Sequence, residues 1–251
     1  MTKNKSTLIN TPKFYAIVPA AGIGSRVGAS IPKQYICIHG KTVIEHTLSK
    51  LDASKVFEKV IVAVSKDDTT FKNITSVTSY PIQIVEGGAD RCDSVLAGLE
   101  HLKTFANDDD WVLVHDAARP CVPVNDIHRM IAKLDSHEVG GILGVPVRDT
   151  MKRIANVSGS NEILKTESRE NLWHALTPQM FRLGTLYDAM LLCQKNNAPI
   201  TDEASAIEYI GLRPLIIEGS ASNIKITQAE DLELAGLYLK QQDININSGS
   251  R

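Results

Sequence analysis

Short apolar runs alternate along this chain with stretches of helical period, and that alternation constrains the fold more than any other feature. Residues 14–18, 59–65, 82–85 and 111–114 each read as a buried strand. Between the first two, Val43, Ile44, Thr47, Leu48 and Leu51 fall on one helical face. Residues 67–73 are expected to form a short helix. After the third strand, Asp90 can cap a helix whose apolar face is Val95, Leu96, Leu99 and Leu102. A helix over 125–134 and a glycine-flanked strand over 141–147 follow. Such alternation predicts an α/β fold, a mostly parallel sheet with helices on both faces. Ligands of such sheets sit at the carboxyl ends of the strands.

The residues of unusual chemistry collect at those ends, in 20–28, 87–94 and 115–119. In the first, the strand breaks into Pro19, Ala20, Ala21, three glycines (Gly22, Gly24 and Gly28) and the cations Arg26 and Lys33. Small residues let backbone N–H groups close around a guest, and glycines permit the turns that point them inward. Two cations make that guest an anion, most simply a polyphosphate. The loop is neither of the two familiar phosphate fingerprints. Val27 stands where a dinucleotide loop needs its third glycine, and no Gly-Lys-Ser/Thr follows at Walker A spacing. An NAD(P)-dependent oxidoreductase is disfavoured by that misplaced glycine and by the lack of a suitable acid ending the second strand. A plain glycine-rich turn would explain one such loop, but three on one rim favour a nucleotide site.

A chain of 251 residues can bury a sizeable core, and no repeat or linker divides it, so 1–251 reads as one domain with an arm. A net charge of −2 gives no footprint for nucleic acid or a membrane surface. No apolar run approaches the ~18 residues that span a bilayer. Residues 1–12 are polar and lack a signal-peptide core. Cys37, Cys92, Cys121 and Cys193 lack metal-ligand spacing and are expected as free thiols in a reducing, cytoplasmic setting, Cys121 as a packing residue.

Residues 148–154, the turn Ser158-Gly159-Ser160-Asn161 and residues 162–166 predict a β-hairpin outside the buried sheet. With so little core of its own it should pack on something, such as another subunit. The chain re-enters the core over 172–179, then forms a helix bearing Leu183, Leu186, Tyr187, Met190 and Leu191. Asp202 and Glu203 are expected in the first turn of a short helix, where acids favour the dipole. A strand over 213–218 precedes the last helix, for which Thr227 and Glu230 suggest a capping box. Residues 243–251 are expected to be disordered.

Together, several segments resemble the 2-C-methyl-D-erythritol 4-phosphate cytidylyltransferase family. They are Pro-Ala-Ala-Gly-Ile-Gly-Ser-Arg with Pro-Lys-Gln-Tyr, Gly-Gly-Ala-Asp-Arg-Cys-Asp-Ser-Val, and His-Asp-Ala-Ala-Arg-Pro. Pro-Val-Arg-Asp-Thr-Met-Lys-Arg, Leu-Trp-His-Ala-Leu-Thr-Pro-Gln, Thr-Asp-Glu-Ala-Ser and Asn-Ile-Lys-Ile-Thr complete the set, in the family's order over about 16–239. The resemblance implies a three-layer, Rossmann-like nucleotidyltransferase sheet with a β-arm protruding at about 148–171. It also implies transfer of CMP from CTP to methylerythritol 4-phosphate, with Mg²⁺, in non-mevalonate isoprenoid biosynthesis. The attacking phosphate has a second pKa of ~6, so no general base is required.

By the same resemblance Arg26, Lys33 and Lys225 are the catalytic cations, and Asp116 holds both Mg²⁺ and nucleotide. Ala20, Ala21, Gly22, Gly24, Gly88 and Ser94 serve nucleotide binding. Arg119, Thr150, Arg169 and Thr177 belong to the acceptor pocket, with Thr150 and Arg169 reaching the neighbouring subunit's site from the arm of a homodimer. His115 and His174 are assigned core or supporting roles. Ala89 stands where many relatives carry a polar residue, and Ser222 replaces an acid found in some. A ribitol 5-phosphate cytidylyltransferase shares the fold and the Asp-Ala-x-Arg-Pro segment. The Arg148–Lys152 and Thr201–Ser205 segments look like the methylerythritol group instead.

Overall fold

The first strand sets the layers. In β1 (Phe14–Pro19), Ala16 and Val18 join one apolar cluster while Tyr15 and Ile17 join another on the opposite face. A strand whose alternate residues are all apolar has no solvent face and belongs at the centre of a covered sheet. The structure, a computed structural model, describes residues 11–22, 31–74, 78–157 and 160–248.

After β1 come a small hairpin, β2 (Cys37–Ile38) and β3 (Lys41–Thr42), and then α1 (Val43–Ser54). Thr42 and Glu45 form a capping box at the start of α1: the Thr42 Oγ1 accepts from the Glu45 N–H at 3.3 Å and the Thr42 N–H donates to Glu45 Oε2 at 2.6 Å. Ile44, Leu48 and Leu51 of α1 are fully buried against the sheet. Each such side chain contributes about 1.5–3 kcal/mol. Next are β4 (Lys59–Val64), β5 (Ile82–Glu86) and α2 (Arg91–Lys103). Residues 67–73, expected as a short helix, give only a 3-10 turn at Phe71–Asn73, because the Asp68 carboxylate takes the Thr70 and Phe71 N–H groups and fixes a tight local turn. Then follow β6 (Trp111–Val114), α3 (Val124–Leu134), β7 (Gly140–Pro146), the hairpin β8 (Met151–Val157) and β9 (Ser160–Glu167), β10 (Trp173–Arg182), α4 (Leu183–Lys195), α5 (Glu203–Tyr209), β11 (Leu215–Glu218) and α6 (Ala229–Ser248).

Seven strands form one sheet in the order β11-β7-β10-β6-β1-β4-β5, parallel throughout except for β10, which runs antiparallel to both neighbours. Residues of α1 and α3 cover one face and residues of α2, α4 and α5 the other. The result is the three-layer, mostly parallel architecture. β10 carries Pro178, a residue that cannot donate to a ladder. Its register against β7 shifts between Ala175 and Gln179, so Leu176 to Pro178 pair with neither neighbouring strand. β8 and β9 pair only with each other, as the hairpin reading expected.

Two C-terminal expectations are corrected. The α6 cap is built by Asp231, whose carboxylate accepts from the Thr227 N–H and hydroxyl and from the Gln228 N–H, not by Glu230. Residues 243–248, expected to be disordered, continue α6 to Ser248, and 249–251 lie outside the described residues. Helix propagation adds one bond per residue once nucleated. Gln242 also ties this end down by donating to the Cys121 carbonyl at 2.8 Å. No helix among the described residues is long and apolar enough to cross a membrane.

Candidate active site

β4 leaves β1 on one side and β6 lies on the other, so the strand order reverses at β1. A crevice at the carboxyl ends of such strands is where open α/β sheets bind ligands. A pocket of about 240 Å³ opens there. Ala20, Ala21 and Gly22 line it from the end of β1, Gly88 and Ser94 from the α2 entry, and Asp116 from the end of β6. Lys33 and Lys225 complete its rim. Arg26 and Gly24 lie outside the described residues.

Local chemistry explains why the backbone can approach here. A Cβ at Gly88 would sit 2.1 Å from Asp93 Cβ, and one at Gly87 would meet Ala21 Cβ at 2.6 Å. Only glycine lets the chain pass both neighbours. Asp90 and Asp93 cap α2 reciprocally, and the Ser94 hydroxyl donates to the Asp90 carbonyl at 2.9 Å. The Gln34 amide donates to the Ala20 and Gly22 carbonyls at 2.8 and 3.2 Å, holding the start of the glycine loop. Gln34 lay inside a matched segment but was not among the expected site residues.

Asp116 is the electrostatic centre. Its Oδ1 accepts from Arg91 Nε at 2.7 Å, its Oδ2 lies 2.9 Å from Lys225 Nζ, and Arg119 Nε stands 3.5 Å away. Burial alone would raise its pKa, but Arg91, then Lys225 and Arg119, hold the carboxyl far below the usual carboxylate range. Asp116 is therefore an anion at every physiological pH. Arg91 in turn is gripped by Glu203, a fully buried carboxylate, through paired bonds of 2.6 and 3.0 Å. Burial opposes the Arg91 charge, and Glu203 and Asp116 more than offset it. Neither Arg91 nor Glu203 was assigned to the site from sequence; the adjacency of Arg91 to the Asp90 cap was the signal available.

Arg119 and Thr177 stand behind this surface. Arg119 is 8% exposed, and its Nη1 donates to the Asn223 carbonyl at 2.8 Å. Thr177 is 4% exposed; its Oγ1 accepts the Asp116 N–H at 3.1 Å and lies 3.0 Å from His115 Nδ1. Neither lines the pocket itself; both support Asp116, which does. Thr150 and Arg169 are exposed at the base of the hairpin and do not line the pocket; Arg169 donates to the Arg148 carbonyl. His174, expected in a core or supporting role, is exposed on β10. The four cysteines are free thiols, and burial pushes Cys121 up to about 12.

His115 is fully buried beneath Asp116. Its Nε2 faces the Arg119 carbonyl at 3.0 Å, which can only accept, so Nε2 carries the proton and Nδ1 receives the Thr177 hydroxyl. Burial lowers its pKa to about 4. The folded state thus resists a proton that the unfolded chain takes up at its ordinary value of 6.5. The stability this group contributes is complete above pH ~6.5 and is lost as pH falls toward 4. We expect the wild type to lose about 3 kcal/mol over that interval from His115 alone. Urea titrations at several pH values should show that slope flattened in His115→Gln.

The family model for 2-C-methyl-D-erythritol 4-phosphate cytidylyltransferase matches residues 14–241. The chain is 48% identical over 232 residues to a protein of that name from Photobacterium profundum, covering 92% of this chain and 98% of the relative. It is 50% identical over 233 residues to one from Vibrio parahaemolyticus, covering 93% and 98%. The crystal structure of the Francisella tularensis protein of the same name superposes with a TM-score of 0.77 at 40% identity, covering 90% of this chain and 99% of that one. With these matches and the pocket at the β1–β6 crevice, the chain belongs to the 2-C-methyl-D-erythritol 4-phosphate cytidylyltransferase family.

Proposed function

We propose that this chain transfers CMP from CTP to the phosphate of 2-C-methyl-D-erythritol 4-phosphate, forming 4-diphosphocytidyl-2-C-methyl-D-erythritol and pyrophosphate for isoprenoid biosynthesis. One observation carries the reading: in a member of this family, ionised Asp116 and the ammonium groups of Lys33 and Lys225 border a single pocket at the carboxyl ends of β1 and β6. An acceptor phosphate oxygen forms a bond to the α-phosphorus as the bond to the bridging β-phosphate oxygen breaks, and the electron pair leaves with pyrophosphate. No proton must be abstracted, because the acceptor phosphate is mostly ionised at neutral pH. Histidine supplies no base here: His115 is sealed beneath the surface. Catalysis is then positioning plus cationic stabilisation of charge on the phosphates. Lys33 and Lys225 provide that, joined by Arg26 on family likeness.

The donor set suits Mg²⁺ that takes most of its oxygens from the nucleotide and from water. Among the described residues no cluster of three or more His, Cys, Asp or Glu side chains forms a metal cage, while Asp116 offers one ionised carboxylate at the pocket wall. Bound there, Mg²⁺ would neutralise phosphate charge. Free thiols throughout fit a cytoplasmic enzyme.

The test is pyrophosphate release with each of the four nucleoside triphosphates and either methylerythritol phosphate or ribitol 5-phosphate as acceptor. Turnover should require CTP and methylerythritol phosphate; preference for ribitol 5-phosphate rejects the acceptor assignment.

The hairpin supports a homodimeric arrangement with sites shared across the two-fold. It leaves Ile154, Ile163 and Leu164 at 48%, 64% and 63% exposure, an apolar surface that a second copy would cover. Thr150 and Arg169 would then meet the acceptor phosphate in the neighbour's pocket, a task suited to the planar guanidinium fork. Mixing Lys33→Ala and Arg169→Ala proteins, each nearly inactive, should restore up to about a quarter of wild-type activity, since half of randomly exchanged dimers hold one intact site. No recovery despite demonstrated subunit exchange rejects the shared site.

A further inference from the structure

A second cavity, of about 270 Å³, lies where the β2–β3 hairpin and α6 meet α1, and it shares no lining residue with the catalytic pocket. His46, Ser49, Lys50 and Ala53 line it from the α1 face turned away from Ile44, Leu48 and Leu51. His39 and Lys41 enter from the hairpin, and Asp243 from α6 is its one carboxylate among the described residues. Four basic side chains from two elements converge on one small space.

Local structure fixes them there. His39 (φ 50°) and Gly40 (φ 80°) form a two-residue turn with both φ values positive, the kind that matches strand twist in a tight hairpin. His39 Nε2 lies 2.9 Å from the Gly236 carbonyl, and His46 Nε2 lies 2.8 Å from the Ile38 carbonyl. A carbonyl only accepts, so both Nε2 atoms carry protons, and in His46 the Nδ1 atom is the site left to titrate. Lys50 is half-buried, yet it forms no hydrogen bond or ion pair among the described residues. Asp243 likewise forms no ion pair among them. Burial disfavours the charged form of Lys50; Asp243 and Cys121 draw it back, and Lys41 adds a smaller push in the direction of burial. Burial also lowers His46; Lys41 and Lys50 push the same way, while the Ile38 carbonyl and Asp243 oppose. Cations that suppress one another's charge without a bonded counter-ion are stabilised by an anion placed among them.

We propose that this cavity is a second, non-catalytic anion site that takes a diphosphate or phosphate-monoester group between Lys41, Lys50 and His46. Seating a dianion draws a proton onto His46 Nδ1, so binding tightens as pH falls toward the ligand's own second pKa, ~6 for a phosphate monoester. The groups facing His46 are Lys41 and His39 from the hairpin, Lys50 on its own helix and Asp243 from α6. Among the described residues that line the cavity, Asp243 is the carboxylate that competes with the anion for them.

The experiment is titration of the full-length, imidazole-¹⁵N-labelled protein with inorganic pyrophosphate and, separately, glycerol 3-phosphate. Signals are assigned with His39→Gln and His46→Gln. No histidine lines the catalytic pocket, so anions bound there leave these signals in place. We expect His46 Nδ1 to move toward its protonated position with at least one probe, the tighter of the two distinguishing a free diphosphate from a phosphate ester. Lys50→Met should weaken that binding at least tenfold while the KM for CTP stays within twofold of wild type, and Lys50→Arg should retain it. The site is refuted if neither probe moves His46, if Lys50→Met responds like wild type, or if Lys50→Arg loses binding as fully as Lys50→Met.

Discussion

Replacing Glu203 with Ala is expected to destabilise the protein by about 3–5 kcal/mol, the usual result of removing one partner from a buried ion pair. Glu203 is fully buried and grips Arg91 with both oxygens, and Arg91 turns its Nε to Asp116. Without Glu203, one carboxylate must answer Arg91, Lys225 and Arg119 together. Arg91 is then free to rotate toward Asp116, and the carboxylate loses the orientation that faces the pocket. The variant should therefore unfold at lower urea concentration with an unchanged m-value, and kcat/KM for CTP should fall at least tenfold. Glu203→Gln preserves shape and one acceptor, so it should lie between the two in both measurements. An Ala variant within 1 kcal/mol of wild type with normal CTP kinetics would leave the Arg91 clamp without a role.

The same pair marks the boundary of what local pattern reveals. Central strands were legible because burial on both faces leaves nothing but apolar residues, as in Tyr15 to Val18. Helix α1 was legible because Val43, Ile44, Thr47, Leu48 and Leu51 repeat at helical period on one face. Glu203 also looked local, an acid in a first helical turn, but its partner Arg91 lies 112 residues away and no periodicity encodes that distance. β10 was hidden for a related reason. A proline and polar residues interrupt its apolar run, and the shifted register that accommodates them exists only beside β7. The rim loops after β1, β5 and β6 were found because small residues and charges interrupt apolar strands, and the pocket unites them. The acid that caps α6 was misassigned by one residue, since Glu230 and Asp231 differ only in which carboxylate reaches Thr227.

Lys33→Ala should lower kcat by about 10²–10³, equivalent to roughly 2.7–4 kcal/mol of lost transition-state stabilisation. Lys33 sits in the short Lys33–Tyr35 turn that Gln34 ties to the Ala20 and Gly22 carbonyls, and its Nζ donates to the Ile226 carbonyl at 2.8 Å. That contact holds Lys33 at the rim of the pocket that Lys225 also lines. An ammonium fixed there acts most strongly when charge moves onto the departing pyrophosphate, so its loss should fall on kcat more than on KM. The hydrogen bond to the Ile226 carbonyl that is lost with the ammonium is worth about 0.5–1.5 kcal/mol of stability. Lys33→Met, which keeps the apolar stem, should reproduce the kinetic loss while unfolding nearly as wild type, separating charge from packing. Pyrophosphate release within threefold of wild type in both variants would remove Lys33 from the chemistry and leave the pocket's catalytic charge to Lys225 and the opening loop.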